Sequence, residues 1–292
     1  METGEILHRV RRLEIRARHL VENVFAGQSE SVFKGRGIEF ADVRPYVPGD
    51  EVRDIDWNVT ARLGDPYVKR FVEERELTVV LVVDVSGSVE FGSQRQAKRE
   101  LIAELGSLFA FAGLRHQARV GLILFSDQLE LYVPPRRGRS QVLRVVRELV
   151  THPLQGKGTD WRAGLEFANR VLRRHAVLFV LSDFLAPVDG RLFRITARRH
   201  DLINVWLEDP RERELPAVGW VEFEDLETGR VRMVNTNDKR ARDAYRTARQ
   251  EAHERARSAM RVAGSDPVIL STAQSYLPPL LRYFNERRRG RR

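Results

Sequence analysis

The stretch LTVVLVVDVSGS, residues 77–88, carries the strongest fold signal of the chain. Its first seven residues are apolar except for Thr78 and rich in valine, which is typical of a strand buried on both faces of a parallel sheet. Asp84, Ser86 and Ser88 follow directly, so three oxygen-bearing side chains stand where this strand ends. Because ligands of open α/β sheets bind beyond the carboxyl ends of the strands, the stretch predicts both a fold class and the place of a binding site.

Strand-like and helix-like segments alternate after this stretch. Strands are predicted at 118–125, 176–181 and 202–207, and helices at 94–114, 140–150, 161–173 and 192–199. This alternation is typical of βαβ units. We therefore predict an α/β fold, Rossmann-like and doubly wound, with a mostly parallel sheet and flanking helices.

The remaining sequence is predicted to form smaller parts around this core. Residues 1–30 have apolar positions at helical spacing over a charged face and are predicted to form an N-terminal helix. Residues 31–76 place turn signals between short β-type runs, which indicates a small β-rich subdomain of strands and loops. The other predicted parts are the core domain at 77–210, a hairpin, long helix, closing strand and helix at 211–285, and a basic tail at 286–292.

Composition limits the chemistry that the chain can perform. There is no cysteine, which excludes disulfides, thiolate catalysis and zinc fingers and leaves oxygen or imidazole as metal ligands. No stretch approaches the roughly 20 apolar residues of a membrane helix, and the N-terminus is charged without an apolar signal core, so we expect a cytoplasmic protein with no membrane span. The net charge of +9 lies largely at the chain ends and around Arg136, and this distribution does not favour specific nucleic-acid binding over contact with an acidic protein.

Three groups of oxygen-bearing side chains lie at predicted strand ends and loops. They are Asp84, Ser86 and Ser88, then Thr159 in a glycine-bearing loop, then Asp183 after the strand AVLFVL. Carboxylate and hydroxyl oxygens suit a small hard cation such as Mg²⁺. The two aspartates would balance the two charges of the ion, and the weakly donating hydroxyls would leave it electrophilic enough to accept an acidic side chain from a protein partner.

The order of these residues resembles a known metal site. DVSGS, with the later Thr159 and Asp183, is similar to the metal-ion-dependent adhesion site of von Willebrand factor type A domains, over about residues 77–210. The resemblance implies that the two serines and the threonine touch the metal while Asp84 and Asp183 act largely through waters. It also implies a divalent ion, Mg²⁺ or another such as Mn²⁺ or Ca²⁺.

A second resemblance covers about residues 30–285. GRGIEF, RPYVPGDEVRDIDW, TAR and YVKRF, between residues 35 and 71, resemble the signature of a bacterial family labelled domain of unknown function 58. Its members couple this segment to a von Willebrand A-like domain and resemble accessory proteins that work beside MoxR-type AAA+ ATPases in assembling other complexes. The resemblance thus implies an adaptor or accessory role, and the hydroxyl-rich open site, with no candidate general base or nucleophile beside it, favours a non-enzymatic protein. Val89 departs from the family pattern, in which methionine is common at this position.

Other readings of the site residues stay open at the sequence level. Asp84, Ser86 and Ser88 are also common helix caps and turn residues, and an N-cap role is favoured for Asp160. A metal-dependent phosphatase or nuclease would also place an aspartate at a strand end, but a phosphatase of this architecture needs a second aspartate where the chain has Ser86. The arginine-rich tail remains a candidate for nucleic-acid binding, with steep salt dependence as its signature.

The acidic stretch with Asp50, Asp54 and Asp56 is the other candidate metal site. Pro48, Gly49 and Asp50 form a turn signal, and Arg53 is close in sequence, so turn chemistry is favoured over metal binding.

Overall fold

The computed structural model describes residues 3–23, 39–72, 77–93, 96–153, 156, 158–224 and 230–290. It contains two compact units, a smaller one at 34–76 and a larger one that combines 1–33 with 77–292. The hairpin predicted within residues 211–285 has its turn signal at 227–229, and this turn and most of the GRGIEF motif lie outside the described residues.

The larger unit is built on a six-stranded sheet. Its strands are β3 (Thr78–Asp84), β4 (Arg119–Phe125), β5 (Leu129–Arg136), β6 (Val177–Ser182), β7 (Asp201–Glu208) and β10 (Val268–Ser271). The spatial order is β10-β7-β6-β3-β4-β5, and β5 alone of these six runs antiparallel, pairing with β4 through the hairpin that begins near Asp127.

This strand order makes the sheet doubly wound. Counted along the chain within the sheet, the order is 3-2-1-4-5-6, the order of the Rossmann fold, so the chain reverses its winding direction between β3 and β6. The predicted fold class, α/β and Rossmann-like with a mostly parallel sheet, is confirmed. Asp84 and Ser182 are the last residues of the two strands that flank the reversal point.

Helices cover both faces of the sheet. On one face Val79, Leu81 and Val83 join a core with α1 (Thr3–Asn23), α3 (Lys98–Arg115), α4 (Arg139–Thr151) and α9 (Leu277–Gly290). On the other face Val80 and Val82 join a core with a π-helical turn (Arg162–Glu166), α5 (Phe167–Val171), α6 (Gly190–Arg199) and α8 (Lys239–Val262). Since residues of β3 alternate between the two cores, its unbroken apolar run is explained.

The N-terminal helix packs as its spacing predicts. Val10, Leu13, Ala17 and Val21 are buried in the first core, and α1 contacts α3 and α4. Glu14 accepts hydrogen bonds from the guanidinium of Arg139, so one arginine of the basic stretch around Arg136 has a structural partner.

The smaller unit contains a helix that the sequence reading did not predict. Strands β1 (Glu39–Pro45) and β2 (Tyr67–Val72) form an antiparallel pair, and α2 (Trp57–Leu63) lies between them in the chain. The side chain of Asp56 accepts hydrogen bonds from two backbone amides at the start of α2, and Gly64 ends the helix in the left-handed conformation at φ 86°.

Two of the three aspartates in the acidic stretch of this unit have structural contacts. Asp50 binds the guanidinium of Arg44 through both oxygens at 2.7 Å, not Arg53 as its sequence proximity indicated, and this pairing lowers the pKa of Asp50. Asp56 caps α2. Turn and cap chemistry therefore account for Asp50 and Asp56, two of the three carboxylates of the second candidate metal site.

The C-terminal region completes the larger unit. A short helix α7 (Pro210–Arg213) follows β7, and β8 (Trp220–Glu224) pairs antiparallel with β9 (Val231–Asn235). Helix α9 continues to Gly290, so residues 286–290 of the predicted basic tail are helical, and Arg287 binds Asp201 and Tyr283. Within the described residues, each helix is too short or too polar to cross a membrane.

Candidate functional site

Asp84 is the centre of a buried hydrogen-bond network at the carboxyl edge of the sheet. Its side chain is fully buried, and one oxygen accepts a hydrogen bond from the Ser86 amide at 2.9 Å. The other oxygen accepts from the Ser182 hydroxyl at 2.7 Å and from the Thr159 hydroxyl at 3.3 Å. The network therefore joins the ends of β3 and β6 to the loop before the π-helical turn.

Ser86 and Ser88 place their hydroxyls side by side. The two Oγ atoms lie 3.1 Å apart, and both side chains are buried. A turn of 3₁₀ helix (Gly87–Glu90) begins directly after Ser86, whose own backbone is extended with φ −63° and ψ 165°.

Aromatic packing fixes the loops that carry Thr159 and Asp183. Trp161 stacks on Phe184 with ring centroids 5.0 Å apart, and its indole nitrogen donates to the Pro187 carbonyl at 3.0 Å. Phe184 directly follows Asp183 and has a left-handed backbone, φ 49°, which is strained for a non-glycine residue. The stack thus ties the two ligand-bearing loops together beneath the site.

The two aspartates repel each other electrostatically. Burial, and then the charge of Asp183, raise the pKa of Asp84 to about 6, although hydrogen bonds from Ser182 and Ser86 oppose this shift. Asp183 is 1% exposed and accepts a hydrogen bond from the Leu185 amide at 3.2 Å. Two carboxylates that are both buried away from solvent need a compensating positive charge.

One compensating charge comes from Lys98, which the sequence reading did not identify. Its ammonium is fully buried and donates to Asp183 Oδ2 at 2.5 Å and to the carboxylate of Glu212. Burial lowers the pKa of Lys98, but the two carboxylates outweigh it and the net shift is upward, so the group stays charged. Lys98 stands three and four residues before Leu101 and Ile102, so a charged residue on an apolar helical stripe was the available signal.

Glu212 is held by a capping box at the start of α7. The Asp209 side chain accepts from the Arg211 amide, and the Glu212 side chain accepts from the Asp209 amide at 3.1 Å. Burial raises the pKa of Glu212, with Lys98 opposing the shift. The motif DPRE at 209–212 is a recognisable capping signal, although it does not indicate the contact with Lys98.

A cleft of about 650 Å³ opens over the network. Ser88, Thr159 and Glu212 are among the residues that line it. The lining also includes aromatic and charged side chains, namely Phe91, Phe223, Tyr245, Arg211, Arg249 and Glu224. Two of the five predicted ligands are therefore accessible from one side.

Comparison with known proteins identifies the family. The model of the family described as "Protein of unknown function DUF58" matches residues 42–256. The chain belongs to the DUF58 family. This protein is 34% identical over 286 residues to uncharacterized proteins of Mycobacterium bovis and Mycobacterium tuberculosis, with 96% of this chain and 89% of each relative covered.

Solved structures similar to this DUF58 protein are more distant. An aerotolerance-related membrane protein from Bacteroides fragilis matches at TM-score 0.49 and 14% identity, over 73% of this chain and 99% of that one. The SpRpn10 VWA domain matches at TM-score 0.39 and 12% identity, over 71% of this chain and 94% of that one. The von Willebrand A-like architecture of the DUF58 chain is seen directly in its strand order and its antiparallel edge strand.

The structure brings all five predicted ligands to one edge of the sheet. Asp84, Ser86, Ser88 and Thr159 are connected through hydrogen bonds, and Asp183 acts on Asp84 through its charge. The donor set contains only carboxylate and hydroxyl oxygens, which fits a small hard cation. In the described part of the chain no three His, Asp or Glu side chains gather in a metal-binding group, and the hydroxyls of Ser86, Ser88 and Thr159 are the further side-chain oxygens offered here.

Asp160, next to Thr159 in the chain, has the capping role that the sequence favoured. Asp160 caps the following helical turn by accepting from the Arg162 amide at 2.9 Å, and its own amide donates to the Ser126 carbonyl. These bonds anchor the Thr159 loop to the end of β4.

Proposed function

We propose that this protein is a non-enzymatic, divalent-metal-dependent protein-interaction module. The observation that carries the proposal is the meeting of Asp84, Ser86, Ser88, Thr159 and Asp183 at the reversal point of the sheet. A cation such as Mg²⁺ held there would neutralise the two buried carboxylates. Ser86, Ser88 and Thr159 would contact the ion, and Asp84 and Asp183 would orient its waters.

The cleft supports an acidic partner. Arg211 and Arg249 line it, and neither forms an ion pair with any residue that the structure describes. Two guanidinium groups beside an electrophilic metal favour carboxylates over other side chains. A partner's aspartate or glutamate would then supply the last metal ligand while Phe223 contacts its neighbouring residues.

The same cleft offers little for catalysis. Its described lining contains no histidine, and its one buried lysine neighbour, Lys98, is paired to two carboxylates. The Ser88 hydroxyl lies beside that of Ser86, and the carboxylate beside the Thr159 hydroxyl, that of Asp84, is fully buried and already accepts hydrogen bonds from Ser86 and Ser182. We therefore propose binding rather than turnover.

We further propose a MoxR-type AAA+ ATPase as the partner, with this protein acting as its adaptor in complex assembly; this rests on the resemblance of the DUF58 signature to accessory proteins of such ATPases. The test is binding of a purified MoxR-type ATPase from the same organism to the immobilised protein, in Mg²⁺ and in chelator. We expect binding in Mg²⁺ that is lost in chelator and lost in the double variant Asp84→Ala, Ser86→Ala. Equal binding in all conditions would exclude metal-dependent adhesion, and no binding in Mg²⁺ would exclude the ATPase as the partner.

A further inference from the structure

The buried ammonium of Lys98 lies beside the candidate metal site without belonging to its predicted ligands. Lys98 begins α3, and its Nζ is 2.5 Å from Oδ2 of Asp183 and in contact with Glu212. The Lys98 side chain is completely buried, Asp183 is 1% exposed and Glu212 is 13% exposed. The three groups therefore form one charge cluster screened from water.

This cluster places two positive charges in competition for Asp183. A divalent ion at the site would share Asp183 with an ammonium that already binds one of its oxygens. Repulsion between the ion and Lys98 disfavours metal binding, and it acts strongly because the surroundings are dry. Glu212 opposes this effect, because its carboxylate pairs with the same ammonium and offsets its positive charge.

Counting the buried charges gives a balance. Asp84, Asp183 and Glu212 are carboxylates and Lys98 is the one cation among these four groups, so two negative charges remain. Two negative charges match one divalent ion. Removing Lys98 alone would leave three, and removing the charge of Glu212 alone would leave one.

We propose that Lys98 and Glu212 form a buried charge pair that sets the metal affinity of the site, with Lys98 weakening metal binding and Glu212 strengthening it. The inference rests on the proposed function, because it concerns the same metal. It gives Lys98 and Glu212 a role in setting metal affinity, although neither belongs to the five predicted ligands. Glu212 also lines the cleft, together with the predicted ligands Ser88 and Thr159, so one member of the pair borders the surface where a partner would bind.

A charge series tests the pair directly. The affinity for Mn²⁺ is measured at pH 8 by isothermal titration calorimetry and by electron paramagnetic resonance of the free ion. We expect Glu212→Gln to bind about tenfold more weakly and Lys98→Met about tenfold more tightly than the wild type. The double variant, which restores two negative charges, should return to within about threefold of the wild type.

The substitutions preserve local structure as far as the chain allows. Glutamine at position 212 keeps the reciprocal hydrogen bond of the capping box. Lys98→Met leaves Asp183 and Glu212 without their cation, so its melting temperature in chelator is measured first. If Lys98→Met does not fold, Glu212→Gln, which is expected to bind more weakly, is compared with the folded double variant, which is expected to bind like the wild type, and this comparison still decides the question.

Glu251→Gln is the control for overall charge, because it removes one carboxylate from the exposed face of α8, where Glu251 pairs with Arg255. It should leave Mn²⁺ affinity unchanged. Wild-type affinity in both Glu212→Gln and the double variant would overturn the charge-pair proposal and leave the metal site intact. Absence of Mn²⁺ binding in the wild type would overturn the proposed function, and the charge pair with it.

Discussion

Ser88 belongs to the buried hydrogen-bond network and also lines the cleft. Its replacement by alanine therefore tests one proposed metal contact by itself. Its hydroxyl lies beside that of Ser86, and the residue is part of the cleft lining. We expect Ser88→Ala to weaken Mg²⁺ binding by at least about tenfold, measured by the Mg²⁺-induced rise in melting temperature and by calorimetry.

Ser107 provides the matched control for this change. It is also a fully buried serine, but its hydroxyl donates to the Ala103 carbonyl within α3. Ser107→Ala should leave the Mg²⁺ response intact, and equal responses in both alanine variants would contradict the assignment of Ser88.

His200 makes the fold sensitive to acid. Burial, and then the charges of Arg199 and His175, lower its pKa to about 4, and neither ring nitrogen has a hydrogen-bond partner among the described residues. Because the unfolded chain binds a proton near pH 6.5 and the folded chain does not until about pH 4, stability falls as pH decreases across that window.

His200→Gln should therefore flatten the loss of stability between pH 6.5 and pH 4, as measured by urea denaturation at several pH values. The exposed His8 is the control, and His8→Gln should keep the wild-type pH profile. An unchanged profile in His200→Gln would show that other groups cause the acid sensitivity.

The sequence pattern predicted the five clustered oxygen donors but missed the charges around them. Asp84, Ser86 and Ser88 follow a buried strand, where topology alone places them at the sheet edge. Lys98 and Glu212 meet across 114 positions of the chain, and such a contact follows from tertiary packing rather than from local spacing.

At the level of elements, the π-helical turn after Thr159 depends on a close approach to β4. A Cβ atom on Gly164 would lie 2.7 to 2.9 Å from the ring of Phe125, which is fully buried and unable to move aside. We expect Gly164→Ala to lower the free energy of unfolding by about 1–3 kcal/mol, measured by chemical denaturation.

Gly190 is the matched glycine, at the start of α6. A Cβ atom there would meet Ala259 at 3.6 Å, an ordinary contact. Gly190→Ala should leave stability unchanged or raise it slightly. Similar losses in both variants would mean that crowding against Phe125 is not the cause.

Continuous apolar runs predicted the central strands of the sheet, and tertiary context decided the helix α2 and how far α8 is covered. The helix α2 is only seven residues long, too short for a clear period, and it is defined by its caps Asp56 and Gly64. Alanines recur every three or four residues from 241 to 263, a spacing that predicts close packing, but of these only Ala256 in α8 and Ala263 just beyond its end are buried. Sequence spacing shows that a stripe exists and not how much of it a neighbour covers.

For the whole molecule, the net charge of +9 raises the question of non-specific binding. Part of the positive charge is already engaged, as in the pairs Arg139 with Glu14 and Arg287 with Asp201. Metal-mediated adhesion depends on coordination, so we expect partner binding to weaken by no more than about tenfold between 50 and 200 mM salt.

Nucleic-acid binding through six or more phosphates would lose about a thousandfold or more over the same range. Surface plasmon resonance at both salt concentrations, with chelator as a second variable, separates the two modes. A steep salt dependence that persists in chelator would contradict adhesion through the metal.

The claim that one divalent ion joins the ends of β3 and β6 is tested most directly by anomalous diffraction from crystals grown with Mn²⁺. We expect one strong anomalous peak within coordination distance of the hydroxyls of Ser86, Ser88 and Thr159. A saturating Mn²⁺ concentration that gives no peak there, or a peak only elsewhere on the protein, would contradict it.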